Sequence, residues 1–285
     1  ATDQEVSLRY TIDDVKVGET GVVVIPAKVA MEVVRDLSGE DCQIEMVGTR
    51  CRLSSSLDHC DLVTADPDEF PVIPRFESSE HISIQGGVLT KLVAQTSFAA
   101  AREPGRYAMH GIQTSLQGDN LQMVATDGRR LAMVENELEY PASNETDIIV
   151  PSKAVNELQR MLGSEGDAMV RLSGNQISFE IGDSIIVSKL IEGNYPNYKQ
   201  VIPGERKERI TINREEFLST VRRISLLTSE SSNSVKLTFS KGSIDVQANS
   251  KDIGEAKEPI VADYDGDEFA IAFNPEFLMA PLKNL

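Results

Sequence analysis

The chain has 285 residues, with 28 Lys and Arg against 45 Asp and Glu for a formal charge of −17, and 40% hydrophobic and 26% charged residues. Such a composition excludes collagen-like and disordered classes, and the length suffices for more than one cored domain without disulfide or metal staples. No apolar run approaches the roughly 18 residues of a membrane-spanning helix, and the opening ATDQEVSLRY carries neither the basic nor the apolar region of a signal peptide. The expected location is therefore cytoplasmic.

In chain order, the first predicted helix covers residues 26–37. Cys42, Cys51 and Cys60 follow at a spacing of nine, which fits no zinc-ligand pattern, and an odd number makes a poor disulfide framework; they read as strand residues. His59 and Cys60, adjacent in a strand, point to opposite faces and form no ligand pair. Ile82 to Ile84 is a strand leading into a helix over 86–102, followed by strands around Gly111 to Leu116, Leu121 to Thr126 and Leu131 to Glu135.

Ile149 to Lys153 then runs a strand into a helix over 151–162. Pro151 suits a first helical turn, Ser152 and its neighbours are expected to satisfy orphan amides, and Ala154, Leu158, Met161 and Leu162 form one apolar stripe that Gly163 ends. Residues 169–193 read as three short strands joined by Ser-Gly-Asn and Gly-Asp turns. Helices over 213–228 and 275–283 complete the series, and Pro281 is expected to kink or shorten the last. Helices grouped on one side of antiparallel sheets make the fold class α+β, not a doubly wound parallel fold.

An internal repeat organises these elements. Ala1-Thr2-Asp3 recurs as Ala125-Thr126-Asp127, a shift of 124, with an echo at Ala248-Asn249. At a shift of 125, Pro26, Lys28, Arg35 and Leu37 fall on Pro151, Lys153, Arg160 and Leu162, and Phe70-Pro71 falls on Tyr195-Pro196. FNPEFLMAPL, from Phe273, supplies a third copy through Pro275, and ISIQGGVLTKLV from Ile82 resembles ITINREEFLSTV from Ile210. The repeat predicts three similar domains, 1–77, 78–204 and 205–285, each of two strand-helix-three-strand halves. The middle one is complete, and the outer two are expected to lack their N-terminal and C-terminal thirds respectively.

No Gly-rich phosphate loop, HExxH, GxSxG or CxxC occurs. The best catalytic candidate is Asp127, beside two arginines, as a nucleophile or metal ligand in a metal-dependent hydrolase. Against it, Asp-Gly between alternating runs is a common hairpin turn. Asp3, Asp13 and Asp14, and the run Asp263, Asp265, Asp267 and Glu268, lack calcium-loop spacing and read as solvated. The five helical windows carry more Lys and Arg than Asp and Glu, in a chain that is strongly acidic overall. Lys28 and Arg35, like Lys153 and Arg160, are seven apart and share a helix face. Arg222 and Arg223 add to the third copy, Lys91 and Arg102 to the second. Helices lining one surface with these bases would offer a polyanion a mildly basic track.

At VATDGRRLA (Val124 to Ala132), IVPSKAVNEL (Ile149 to Leu158), EGNYPNYKQVIP (Glu192 to Pro203) and NREEFLSTVRRISLLTSE (Asn213 to Glu230), the sequence resembles the bacterial DNA polymerase III beta subunit family, the replicative sliding clamps. The likeness covers essentially the whole chain. It implies a DNA clamp fold, with helices on the inner face of a ring and antiparallel sheets outside, closed by a homodimer around double-stranded DNA without sequence preference. It implies no catalytic residue, no metal and no cofactor: a processivity factor that tethers the replicative DNA polymerase.

On this resemblance the DNA-binding residues are Lys28, Arg35, Lys91, Arg102, Arg106, Tyr107, Lys153, Arg160, Arg222 and Arg223, with Ala108 at an often aromatic position. The pocket for short linear peptides of the polymerase and clamp loader maps onto Met109, Thr126, Gly128, Arg130, Leu131, Pro196 and Val201, with Arg129 where His is frequent. A peptide-binding scaffold with no DNA role is a further alternative.

Overall fold

The computed structural model describes residues 1–76, 81–103, 105, 107–139, 145–162, 166–204, 209–229 and 233–285. In chain order the elements are β1 (Val6–Tyr10), α1 (Ala27–Asp36), β2 (Gln43–Val47), β3 (Arg50–Ser55), β4 (Asp58–Val63), β5 (Ile82–Gln85), α2 (Gly86–Ser97), β6 (Gly111–Gln117), β7 (Asn120–Thr126), β8 (Leu131–Glu137) and β9 (Thr146–Pro151). There follow α3 (Ser152–Met161), β10 (Asp167–Ser173), β11 (Gln176–Ile181), β12 (Ser184–Lys189), α4 (Arg214–Ser225), β13 (Val235–Ser240), β14 (Ser243–Ser250), β15 (Gly254–Val261), β16 (Phe269–Phe273) and α5 (Pro275–Asn284). Two compact units result: Ala1–His81 with Met169–Lys189, and Ile82–Ala168 with Leu190–Leu285.

In the first unit, β2, β3 and β4 form an antiparallel sheet in which Cys51 pairs with Leu62 and Leu53 with Cys60. Alternation puts those four on one face, where Val23, Ile25 and, from α1, Ala30 and Val33 pack against buried Cys51, Leu53 and Leu62. Arg52 and Asp61 face each other on the opposite side at 2.7 Å. Cys60 turns toward the core while His59 is exposed, as adjacent strand residues must. Cys42, expected in a strand, lies just before β2 and is exposed. Separately, β1 pairs with β12, β12 with β11 and β11 with β10, all antiparallel. The two predicted hairpin turns join these strands, with Gly174 at φ 57° and Gly182 at φ 53°, conformations that favour glycine.

In the second unit, β8, β7, β6 and β9 form one antiparallel sheet. Its apolar face and helices α2 and α3 bury Leu89, Leu92, Val93, Ile112, Met123, Ala154, Val155 and Leu158. A second sheet, β15, β14, β13 and β16, packs under α4 and α5, with Phe217, Val221, Ile224, Val235, Ile244 and Val246 at its centre. Asn213 caps α4 by accepting from the Glu216 N–H at 3.0 Å, and Asn274 caps α5 by accepting from the Glu276 N–H at 2.9 Å.

Several boundaries depart from the sequence pattern. Helix α2 stops at Ser97, not 102: Phe98 begins tighter turns, the Ala99 N–H bonds Thr96 at 3.0 Å, and the Ala101 N–H turns away to the Met109 carbonyl at 2.9 Å. Burial of Ala99, Ala100 and Ala101 against the core outweighs the helix preference of an alanine run. Arg102 therefore sits beyond the helix. Helix α4 likewise ends at Ser225, and residues 226–228 continue only as i→i−3 turns.

Pro151 is an extended cap residue that ends β9, and Ser152 Oγ makes no capping bond, because the chain passes straight from strand to helix. Gly163 lies outside the described residues. Helix α5 passes through Pro281 to Asn284. The proline forfeits one backbone bond near the helix end, while Leu278, Met279 and Leu282 on either side of it stay packed on the α4 core.

Candidate functional site

The hairpin turn between β7 and β8 is built by its own side chains. Thr126 Oγ1 accepts from the Gly128 N–H at 3.0 Å and donates to the Arg130 carbonyl at 2.6 Å. Asp127 Oδ1 accepts from the Arg129 N–H at 2.9 Å and the Arg130 N–H at 3.0 Å, and its Oδ2 accepts from Arg130 Nε at 3.0 Å. The Asp127 carboxylate is thus an Asx-turn anchor and a salt-bridge partner, which removes the reason to assign it chemistry. Gly128, at φ 83°, occupies the left-handed position the turn requires. The same device recurs at the chain start: Thr2 Oγ1 accepts from the Gln4 N–H at 3.1 Å, and Asp3 Oδ1 from the Glu5 and Val6 N–H groups at 3.1 and 3.0 Å. There Gln4 takes φ 75° where the other copy has glycine.

Arg130 is the hub of this region. Held by Asp127, its guanidinium lies 4.9 Å from the ring centroid of Phe277 on α5 and 5.8 Å from that of Phe98 beyond α2. The Thr126 N–H donates to Tyr195 Oη at 3.0 Å, which ties the Tyr195 side chain to the turn. Burial pushes the Tyr195 hydroxyl up to about 12, against the opposing effect of the Thr126 hydrogen bond. Leu131, which pairs with Thr126 across the hairpin, is part-buried, and Val201 is 69% exposed.

Thr126, Gly128, Arg130 and Leu131 therefore share one turn, Pro196 lines a groove with Tyr195 and Tyr198, and Met109 is tied through its carbonyl to Ala101. Tyr195, Phe98 and Phe277, outside the sequence-based pocket assignment, contact this turn through Thr126 and Arg130. Tyr195 stood inside the EGNYPNYKQVIP motif, but nothing local marked the two phenylalanines.

The predicted basic residues divide by environment. Lys28 and Arg35 on α1, Lys91 on α2 and Lys153 and Arg160 on α3 are all exposed, with Arg160 also bonded to Glu157 at 2.8 Å one turn away. On α4, Arg222 and Arg223 are both exposed, and Arg223 also reaches the sheet, where it is paired with Glu258 and bonded to Thr220. That pairing holds the Glu258 carboxyl below its ordinary range. Tyr107 is 73% exposed, and Arg106 lies outside the described residues. Among the described residues, no group of three or more His, Cys, Asp or Glu is arranged to hold a metal ion. No helix among them is long and apolar enough to cross a membrane.

Models of the DNA polymerase III beta subunit match in order along the chain: the N-terminal domain over residues 1–74, the central domain over 83–197 and the C-terminal domain over 199–285. The beta sliding clamp of Chlamydia muridarum is 32% identical over 285 residues, covering all of this chain and 78% of the relative. That of Staphylococcus aureus strain Mu50 is 30% identical over 293 residues, covering 99% and 78%. Among solved structures, the DNA polymerase III beta subunit of Thermotoga maritima superposes with a TM-score of 0.88 at 28% identity, covering 100% of this chain and 78% of that one. A sliding clamp from Bartonella birtlesii bound to griselimycin gives 0.90 at 29% identity with the same coverage. The α+β architecture of antiparallel sheets and paired helices is that of the DNA clamps, and the chain belongs to the DNA polymerase III beta subunit family, the beta sliding clamps.

Proposed function

We infer that this chain is a non-catalytic processivity factor, a clamp that encircles duplex DNA and tethers the replicative polymerase to it. The observation that carries the reading is the recurrence of one basic register, Lys28 with Arg35 on α1 and Lys153 with Arg160 on α3, exposed in both copies. Three modules, 1–77, 78–204 and 205–285, are the arrangement we propose, supported by the order of the three family matches.

A ring retains DNA by topology. It therefore needs only weak phosphate contacts, and a strongly basic bore would act as a brake on sliding. That logic reconciles a charge of −17 with DNA as a partner, and the acidity elsewhere disfavours DNA on the outside. Lys28, Arg35, Lys91, Arg102, Lys153, Arg160 and Arg222 are our candidates for the inner surface. Arg223 is the weakest of the set because Glu258 neutralises it.

The cleft at Thr126, Gly128, Arg130, Leu131 and Pro196 is the proposed seat for short linear peptides of the polymerase and the clamp loader. Its support is a rigid polar turn next to apolar side chains, which suits a peptide anchored by Leu or Phe. A homodimer is the proposed ring. The test loads the full chain onto nicked circular DNA with a clamp loader and then linearises the circle. Retention on circles with loss from linear ends is expected; equal retention on both rejects topological tethering.

A further inference from the structure

The middle copy of the repeat holds one loop to its sheet by means that the first copy lacks. The β6–β7 ladder ends at Gln113 and Val124, and beyond it the Thr126 N–H finds its acceptor in Tyr195 Oη at 3.0 Å. Further along, Tyr198, 7% exposed, donates its hydroxyl to Gln122 Oε1 at 2.5 Å, and Gln122 Nε2 donates to Glu135 Oε1 at 2.5 Å. The segment between the two tyrosines is thus pinned at both ends to β7 and, through Glu135, to β8, the strands that carry the Thr126–Leu131 turn. Val124 stands between the two anchor residues on the sheet face opposite the α2 and α3 core. It is nonetheless 1% exposed, so that face too is covered where the segment crosses it.

Within the segment the backbone is compact: the Tyr198 N–H donates to the Pro196 carbonyl at 2.7 Å, and the Val201 N–H to the Tyr198 carbonyl at 3.1 Å. Pro196 and Val201, both assigned to the peptide pocket, are therefore tied to where the tyrosines are held. Burial raises both hydroxyls from the ordinary value of 10.0, Tyr195 to about 12, and for Tyr198 the charges of Asp147 and Glu135 add to it. Both phenols keep their protons at neutral pH, and Tyr198 has one to donate. At the repeat shift of 125, Tyr195 and Tyr198 fall on Phe70 and Ile73 of the first copy. Apolar side chains fill the two positions there, so the hydroxyls are not a general requirement for building a copy.

We propose that Tyr195 and Tyr198 are positioning residues of the peptide cleft: their hydroxyls fix the segment bearing Pro196 and Val201 on the strands that bear Thr126 and Leu131, so that the cleft is set before a peptide arrives. Neither tyrosine has to touch the peptide. A surface that is already ordered spares its ligand the cost of ordering it, and each hydroxyl also satisfies a polar group that an apolar replacement would strand. The role rests on the peptide-cleft reading; the two pins themselves do not.

The test uses the full chain, with calorimetry of a Leu/Phe-anchored peptide and amide hydrogen exchange of the free protein. Tyr195→Phe and Tyr198→Phe keep each ring and remove only the oxygen. Each should raise the peptide dissociation constant about fivefold, the scale of one net hydrogen bond. Tyr195→Phe should also speed exchange of the Thr126 amide about tenfold, while the Gly128 and Arg130 amides, bonded within the turn, keep their rates. Ile244→Val, in the core under α4, is the control: it lowers stability away from the pins and should leave peptide affinity unchanged. Parent affinity in either tyrosine variant, or parent exchange at Thr126 in Tyr195→Phe, overturns the proposal. An equal loss of affinity in Ile244→Val does so too, because it marks the effect as general destabilisation. Failure of the parent chain to bind the peptide removes the cleft reading itself, and this role with it.

Discussion

The guanidinium of Arg130 stands 4.9 Å from the ring centroid of Phe277 while its Nε is held at 3.0 Å by Asp127. A turn of the β7–β8 hairpin is thereby joined to helix α5, two elements far apart in the chain. A double-mutant cycle of Arg130→Ala and Phe277→Ala, followed by denaturant unfolding, should give a coupling of about 1 kcal/mol. A coupling indistinguishable from zero means that the stacked arrangement contributes no stability.

Asp127→Ala should destabilise the chain by about 1–3 kcal/mol, because two backbone N–H groups and the Arg130 guanidinium lose their acceptor. Asp127→Asn keeps one acceptor oxygen and should cost less. Thermal unfolding of both variants checks the order; an unchanged midpoint in the alanine variant refutes the anchoring role.

Lys153→Glu combined with Arg160→Glu should weaken retention on circular DNA and flatten its dependence on salt, by about 0.9 in log–log slope for each phosphate that is no longer neutralised. Both side chains project from exposed positions on α3, so the far-ultraviolet dichroism should not change. Retention with the parent salt slope would show that this face does not meet phosphate.

Leu131→Lys should lower affinity for a Leu/Phe-anchored polymerase peptide by about tenfold, as a part-buried apolar wall becomes a charge that must stay hydrated. Calorimetry with the full chain reads this directly. An unaltered dissociation constant removes Leu131 from the cleft.

Tyr195 sets an alkaline limit. Its hydroxyl is pushed up to about 12 from an ordinary value of 10.0, so the unfolded chain releases this proton first as pH rises. The stability Tyr195 contributes is complete below pH 10 and is lost between there and about pH 12. A spectroscopic phenolate titration should show Tyr195 and Tyr198, both pushed up by burial, ionising after the exposed tyrosines, and Tyr195→Phe should diminish that late step by one phenolate. A titration in which all tyrosines ionise together contradicts the burial.

The amino-acid sequence by itself determined the period, the elements and the basic register. These are readable because each is imposed locally. The Thr-Asp pair recurs at Thr2-Asp3 and Thr126-Asp127 since both turns demand the same hydroxyl and carboxylate bonds to the backbone. The Lys and Arg pairs recur because seven residues return a helix to one face. Only the tertiary structure decided where α2 ends, since the Ala101 N–H had to choose between its own helix and Met109. Packing on α4 carried α5 through Pro281, and only the fold brought Glu258 of β15 to Arg223 of α4. The same holds for Arg130, which meets Phe98 and Phe277 through the folding of distant segments. Meetings of that kind leave no periodic trace, because they depend on which surfaces the chain brings together and not on the spacing of residues along it.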